Sequence, residues 1–183
     1  RHLDRLMEGN SGYKTTPANP AVLSQELREG TAKNGQSPLA VIVCCSDSRV
    51  PPEHIFHAGI GELFIIRNAG NLISDFALGS VEYAVEHLET PLVVVMGHTG
   101  CGAVGTALTP AQEKGGLAAI LAEIRDAIAG ESDPHQAVRK NTLHALATLG
   151  HSPILKELHQ AGKVEFAAAI YDIHSGHVDF LQD

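Results

Sequence analysis

The sequence predicts an α/β fold: a mainly parallel central sheet flanked by helices, with a C-terminal antiparallel edge hairpin and an N-terminal helical arm. Three observations predict it. Short apolar, β-type runs alternate along the chain with segments of helical periodicity. Two of those runs, 39–44 and 92–96, are apolar at nearly every position, as strands buried on both faces of a parallel sheet must be. Near the end, His174-Ser175-Gly176-His177 has turn chemistry and separates two β-type runs closely enough for a hairpin.

In chain order, the first dozen residues place Leu3, Leu6 and Met7 on one side and read as an amphipathic arm, the start of a helical region over 1–30. Asn19-Pro20 reads as an N-cap followed by proline at the first helical position, with Gly30 as the glycine that closes the segment. Strands are expected at 39–44, 63–66, 92–96, 164–171 and 178–180. Between Ser74 and Glu89, Phe76, Leu78, Val81, Ala84, Val85 and Leu88 recur at helical spacing, and 117–128 reads likewise. Two further helices are bracketed by Asp133-Pro134 with Gly150 and by Ser152-Pro153 with Gly162. No linker or repeat interrupts the pattern, so a single domain over 1–183 is expected.

Length and charge narrow the function. The chain has 183 residues, 44% hydrophobic and 19% charged, enough for one core. No apolar run approaches the roughly 20 residues that cross a bilayer, so no membrane partner is expected. Thirteen basic against 21 acidic side chains leave a net charge of −8, which argues against nucleic acid. Three cysteines are an odd number and too few for a disulfide framework. They favour a reducing compartment, hence a cytoplasmic location, with thiols used as ligands or nucleophiles. The first residue is Arg1, with no apolar leader in this sequence, and a trimmed N-terminus fits equally well.

Chemistry concentrates in two segments, each directly after a buried strand: Cys45-Ser46-Asp47-Ser48-Arg49 and Gly97-His98-Thr99-Gly100-Cys101-Gly102. In open parallel sheets, ligands collect beyond the carboxyl ends of strands where the winding reverses, so both segments could border one crevice. If residues 45–49 continue extended, Cys45, Asp47 and Arg49 lie on one side. His98 and Cys101 have the short-loop spacing that lets both face one ion. With Cys45 they make a Cys₂His set, the three-ligand pattern of a catalytic zinc with an open fourth position. A structural site would want a fourth protein ligand, and Asp47 is the nearby candidate. Cys44, alternating with Cys45 along the strand, reads as a small buried hydrophobe.

These motifs resemble those of the β-class carbonic anhydrases. The likeness extends through Leu6-Met7-Glu8-Gly9-Asn10, Gly35-Gln36-Ser37-Pro38, Arg67-Asn68-Ala69-Gly70-Asn71 and Glu82-Tyr83-Ala84-Val85. It implies Zn²⁺ held by Cys45, His98 and Cys101, and hydration of carbon dioxide to bicarbonate and a proton by metal-bound hydroxide. It also implies that Asp47, held by Arg49, orients the nucleophile, or, when released, closes the metal as a fourth ligand. Gln36, Phe64, Tyr83 and Gly102 match substrate-pocket positions of plant-type members, part of that pocket coming from an adjacent subunit. A homodimer or a multiple of dimers is therefore expected. His87 matches a proposed proton shuttle, and it lies four residues after Tyr83 on one helix face. A tryptophan that helps form an inhibitory bicarbonate pocket in some bacterial relatives is replaced here by Ile42, so that pocket is not expected. The remaining histidines considered, His54, His57, His144, His151, His159, His174 and His177, read as solvated.

Three other readings remain open on the sequence. The same scaffold serves hydrolases of carbon disulfide or carbonyl sulfide. A noncatalytic zinc-binding module would use Asp47 permanently. Gly100-Cys101-Gly102-Ala103-Val104-Gly105 literally fits a dinucleotide-binding glycine pattern, although about 20 residues later the chain reads as helix instead of a strand ending in an acid.

Overall fold

The computed structural model describes residues 1–16, 18–20 and 23–181. Strands β1 (Ala40–Cys45), β2 (Leu63–Asn68), β3 (Leu92–His98), β4 (Glu165–Tyr171) and β5 (Val178–Phe180) form one sheet in the order β2-β1-β3-β4-β5. The first four run parallel, and β5 turns back antiparallel on β4 with Tyr171 opposite Val178. The hairpin turn is tied by Asp172, whose carboxylate accepts the N–H groups of His174 and Ser175.

Alternation along the strands divides the core into two sides. Ile42, Cys44, Val94 and Met96 meet Leu6 of α1 (His2–Thr15) and Ile55 of α3 (Pro52–Ile55). Val41, Val43, Val93 and Val95 face the other way, onto Val81 and Val85 of α4 (Asp75–His87), Leu149 of α7 (Pro134–Leu149) and Leu155 of α8 (Pro153–Gln160). Each fully buried aliphatic side chain contributes about 1.5–3 kcal/mol, which explains why β1 and β3 have no polar position before their ends.

Among the described residues, side-chain caps start four helices. Ser74, Asp133 and Ser152 accept the N–H groups of Ala77, Gln136 and Leu155, each cap contributing about 1 kcal/mol. Pro134 and Pro153 occupy the first helical positions as expected. The fourth helix differs from its expected bounds. It is α2 (Gln25–Asn34), capped by Ser24, whose hydroxyl accepts Leu27 N–H, and ended by Gly35 at φ 84. Gly30 lies inside it. Asn19 does not cap this helix; its amide donates to the carbonyls of Glu53 and Ala58, tying that segment to α3 and the turn beyond it. The expected helical start also covers residues 21 and 22, which lie outside the described residues.

Helix α1 is docked on its own chain. Asn10, 3% exposed, donates to the carbonyls of Ile55 and Gly176 and accepts from Val178 N–H. Leu6 is buried and Leu3 half-buried, but Met7 is 50% exposed, because the docked face of α1 centres on Leu6, Gly9 and Asn10 and Met7 stands about 100° around the helix from Leu6. Two short helices were not anticipated, α3 and α5 (Gly102–Ala107); the remaining one, α6 (Gly116–Ala127), begins one residue before its expected bound.

Candidate metal centre

Strand order 2-1-3 means that the chain leaves β1 in one direction and returns on its other side, so a crevice opens beyond the carboxyl ends of β1 and β3. Cys45 ends β1 and His98 ends β3. Cys101 follows after a turn in which Gly100 adopts φ 66, and it caps α5. The ligand atoms of Cys45, His98 and Cys101 all lie within 4.8 Å of one another, the scale of a shell built on metal–donor bonds of about 2.0–2.3 Å. Among the described residues no other group of three such donors is drawn together.

The donor chemistry fits a soft divalent ion. His98 is fully buried, and its Nδ1 lies 2.9 Å from the Thr99 carbonyl oxygen. A carbonyl only accepts, so Nδ1 carries the proton and Nε2 presents a lone pair. That Nε2 is buried and has no hydrogen-bond partner, the arrangement expected when the second ring nitrogen serves a metal. The hydrogen bond from Cys101 pulls the Cys45 thiol far below its ordinary range, and the same bond pushes Cys101 up. The pair therefore gives up one proton readily and keeps the other, which an incoming dication would expel. Cys44, next in sequence, belongs to the opposite core; burial raises its thiol to about 12 and keeps it protonated.

Residues 45–49 do not continue extended. The strand ends at Cys45 and the chain turns, with Val50 N–H donating to Asp47 O. The Asp47 carboxylate closes the turn by accepting Arg49 N–H at 2.9 Å. Asp47 and Arg49 thus meet through a turn and not along one strand face. Arg49 Nε and Nη2 donate to the two carboxylate oxygens at 2.9 and 2.7 Å, and these bonds hold the Asp47 carboxyl far below the usual carboxylate range. Asp47 Oδ2 lies 3.9 Å from His98 Nε2, at the edge of the donor cluster but outside it.

The other expected site residues lie elsewhere on this chain. Phe64 pairs with Val41, four residues or about 13 Å along the sheet from Cys45. Its ring lies 6.2 Å from Tyr83, which is 47% exposed and 5.5 Å from the His87 ring. Gln36 is exposed in the α2–β1 connection. Gly102 opens α5 beside Cys101, with open space where a side chain would be. Of the histidines read as solvated, His57 is buried: it takes φ 47 after α3 and packs edge-on to Tyr13, in room left by Gly12. No local pattern marks that burial, since it depends on α1 docking.

Arg67, which in the sequence stands out only as part of the 67–71 motif, braces the centre by donating to the carbonyls of Cys45 and Asp47 at 3.0 and 2.7 Å. Asn68 closes the following turn with bonds to Leu72 N–H and O. The glycine pattern 100–105 leads into the six-residue α5, and the next strand does not begin until Glu165, so no dinucleotide-binding strand–helix–strand unit follows.

Fold and site together define an α/β protein with a buried cluster of two cysteines and one histidine at its switch point. A family model described as carbonic anhydrase matches residues 40–178. A carbonic anhydrase of Synechococcus elongatus is 33% identical over 95% of this chain and 70% of its own length. Carbonic anhydrase 2 of Mycobacterium tuberculosis is 49% identical over 56% of this chain. In that relative, and in the carbonic anhydrase of Mycolicibacterium smegmatis, the match spans about half of the relative's length. The solved β-carbonic anhydrase CafA of Aspergillus fumigatus superposes with a TM-score of 0.76 at 32% identity, covering 87% of this chain and 83% of its own. The chain belongs to the β-carbonic anhydrase family.

Proposed function

We propose that this chain catalyses the zinc-dependent, reversible hydration of carbon dioxide to bicarbonate and a proton. The observation that carries this reading is the donor triad Cys45, His98 and Cys101, gathered in the switch-point crevice while Arg49 keeps Asp47 off it. Cys45, His98 and Cys101 would hold the zinc ion, which would supply the Lewis acidity that makes hydroxide available near neutral pH. Asp47, ionised by its pairing with Arg49, accepts a hydrogen bond from the nucleophilic water and turns a lone pair toward the substrate carbon. Gly102 N–H lies beside the bound substrate. A permanently closed, noncatalytic site would need Asp47 on the metal, leaving the Arg49 guanidinium without its carboxylate.

The remaining pocket is built between subunits. Phe64 and Tyr83 form an aromatic pair too far from Cys45 to serve it within one chain, and Gln36 stands clear of the cluster. In a homodimer, or a multiple of dimers, these three complete the neighbour's apolar pocket, and His87 beside Tyr83 carries protons outward. One structural neighbour, from Sordaria macrospora, is described as tetrameric. The three unpaired thiols suit a reducing cytoplasm.

Stopped-flow hydration assays across pH, with metal analysis of the same sample, test this proposal. Two thiolates cancel the charge of the dication, so rates should climb toward alkaline pH. Rates that stay flat between about pH 6 and 9, or that survive complete metal removal, would overturn it.

A further inference from the structure

Gly70 is gripped from two sides. Its N–H points at Cys45 Sγ, 3.5 Å away, and its carbonyl accepts a 2.8 Å hydrogen bond from Asn141 Nδ2 on α7. Gly70 has φ 82, which L side chains rarely adopt, and a Cβ there would stand 2.8 Å from Ile124 Cδ1. Position 70 thus has no side chain with which to anchor itself. Its two bonded groups belong to successive peptide planes, so holding the carbonyl restrains the direction of the N–H.

Asn141 is an unusual residue for its place. It is 1% exposed in the middle of α7, where asparagine is a poor helix former, and its Oδ1 has no hydrogen-bond partner. A half-satisfied buried amide costs stability, and an aliphatic side chain would pack there without that cost. What Asn141 contributes is one donor, aimed at Gly70.

We propose that Asn141 is a positioning residue for the metal centre: through the Gly70 backbone it holds an N–H against Cys45 Sγ and so sets the orientation of that ligand. This rests on the metal-centre reading above. The variant Asn141→Leu keeps similar volume and removes the donor. Its affinity for Zn²⁺ and Co²⁺ in chelator competition should fall about 10–100-fold, as for other partners that orient a ligand. The sulfur-to-cobalt charge-transfer band should weaken or shift. Leu149→Ala, on the same helix but packed in a core cluster that does not include the metal-centre residues, should lose thermal stability while leaving affinity and band unchanged.

An Asn141→Leu protein with wild-type affinity and spectrum would overturn the proposal, as would identical changes in Leu149→Ala. Amide exchange of Gly70 in the zinc-loaded wild type needs no variant: slow exchange is expected, and exchange at the rate of an open loop would overturn it. Wild-type protein that binds no cobalt would defeat the metal-centre reading itself, a result distinct from a wild type that binds and a variant that matches it.

Discussion

Arg49 presents two donors to Asp47, with Nε 2.9 Å from one carboxylate oxygen and Nη2 2.7 Å from the other, while its backbone N–H binds the first oxygen as well. Three bonds converge on one carboxylate that lies 3.9 Å from the unpartnered nitrogen of His98. The guanidinium is half exposed, so the pair does little for stability. Its effect is directional: it decides which way the carboxylate faces.

Removing that hold should free Asp47 to turn toward the donor cluster. Arg49→Ala is expected to keep its metal yet lose hydration activity by about 10–100-fold or more. Arg49→Lys retains the charge without the fork and should recover only part of it. Stopped-flow rates at matched zinc content check this; near-normal turnover in Arg49→Ala would refute the gating role.

The two adjacent cysteines should behave oppositely. Cys45→Ser should lose tightly bound zinc, whereas Cys44→Ala, on the other face of β1, should retain it, as elemental analysis would show. Chelation of the wild type should lower its Tm. Saturation at 100 times Kd corresponds to about 2.7 kcal/mol, or roughly 5–10 °C for a chain of this size. An unchanged melting curve after chelation would argue against a metal at this site.

Glu131 gives a pH-dependent contribution away from the site. Its carboxylate accepts Asp133 N–H, pairs with Lys140 at 3.0 Å and accepts Ser132 N–H, which lowers its pKa from 4.5 to about 2. Because the folded value is depressed, this stabilisation is fully present above pH 4.5 and disappears as pH falls toward 2. Glu131→Gln should therefore melt below the wild type at neutral pH, with the gap closing in acid. A gap independent of pH would mean that the lost interaction is not ionic.

Gly97 allows α7 to approach β3 immediately before His98. A Cβ at this position would collide with Thr142 Oγ1 and stand 3.2 Å from Ile170 Cδ1. Gly97→Ala should destabilise by about 1–3 kcal/mol through overpacking, and adding Thr142→Ala should restore part of the loss. Strictly additive effects in denaturant unfolding would show that the two positions do not press on each other.

Local chemistry alone determined much of this protein. The continuous Val and Ile runs of β1 and β3 mark strands buried on both faces, and Ser74, Asp133 and Ser152 mark helix starts, because each signal acts within a few residues of chain. The donor set Cys45, His98 and Cys101 was legible for the same reason: side chains able to bind a metal stand out at the ends of apolar runs and in the short turn that follows. What only the tertiary structure decided depends on contacts between distant segments. The turn that folds Asp47 onto Arg49, the burial of His57 under α1, the brace from Arg67 and the reach of Asn141 to Gly70 follow from packing and backbone geometry, which local periodicity does not encode. Ser24 in place of Asn19 as the cap of α2 belongs with them, since the Asn19 amide is drawn to carbonyls more than thirty residues away.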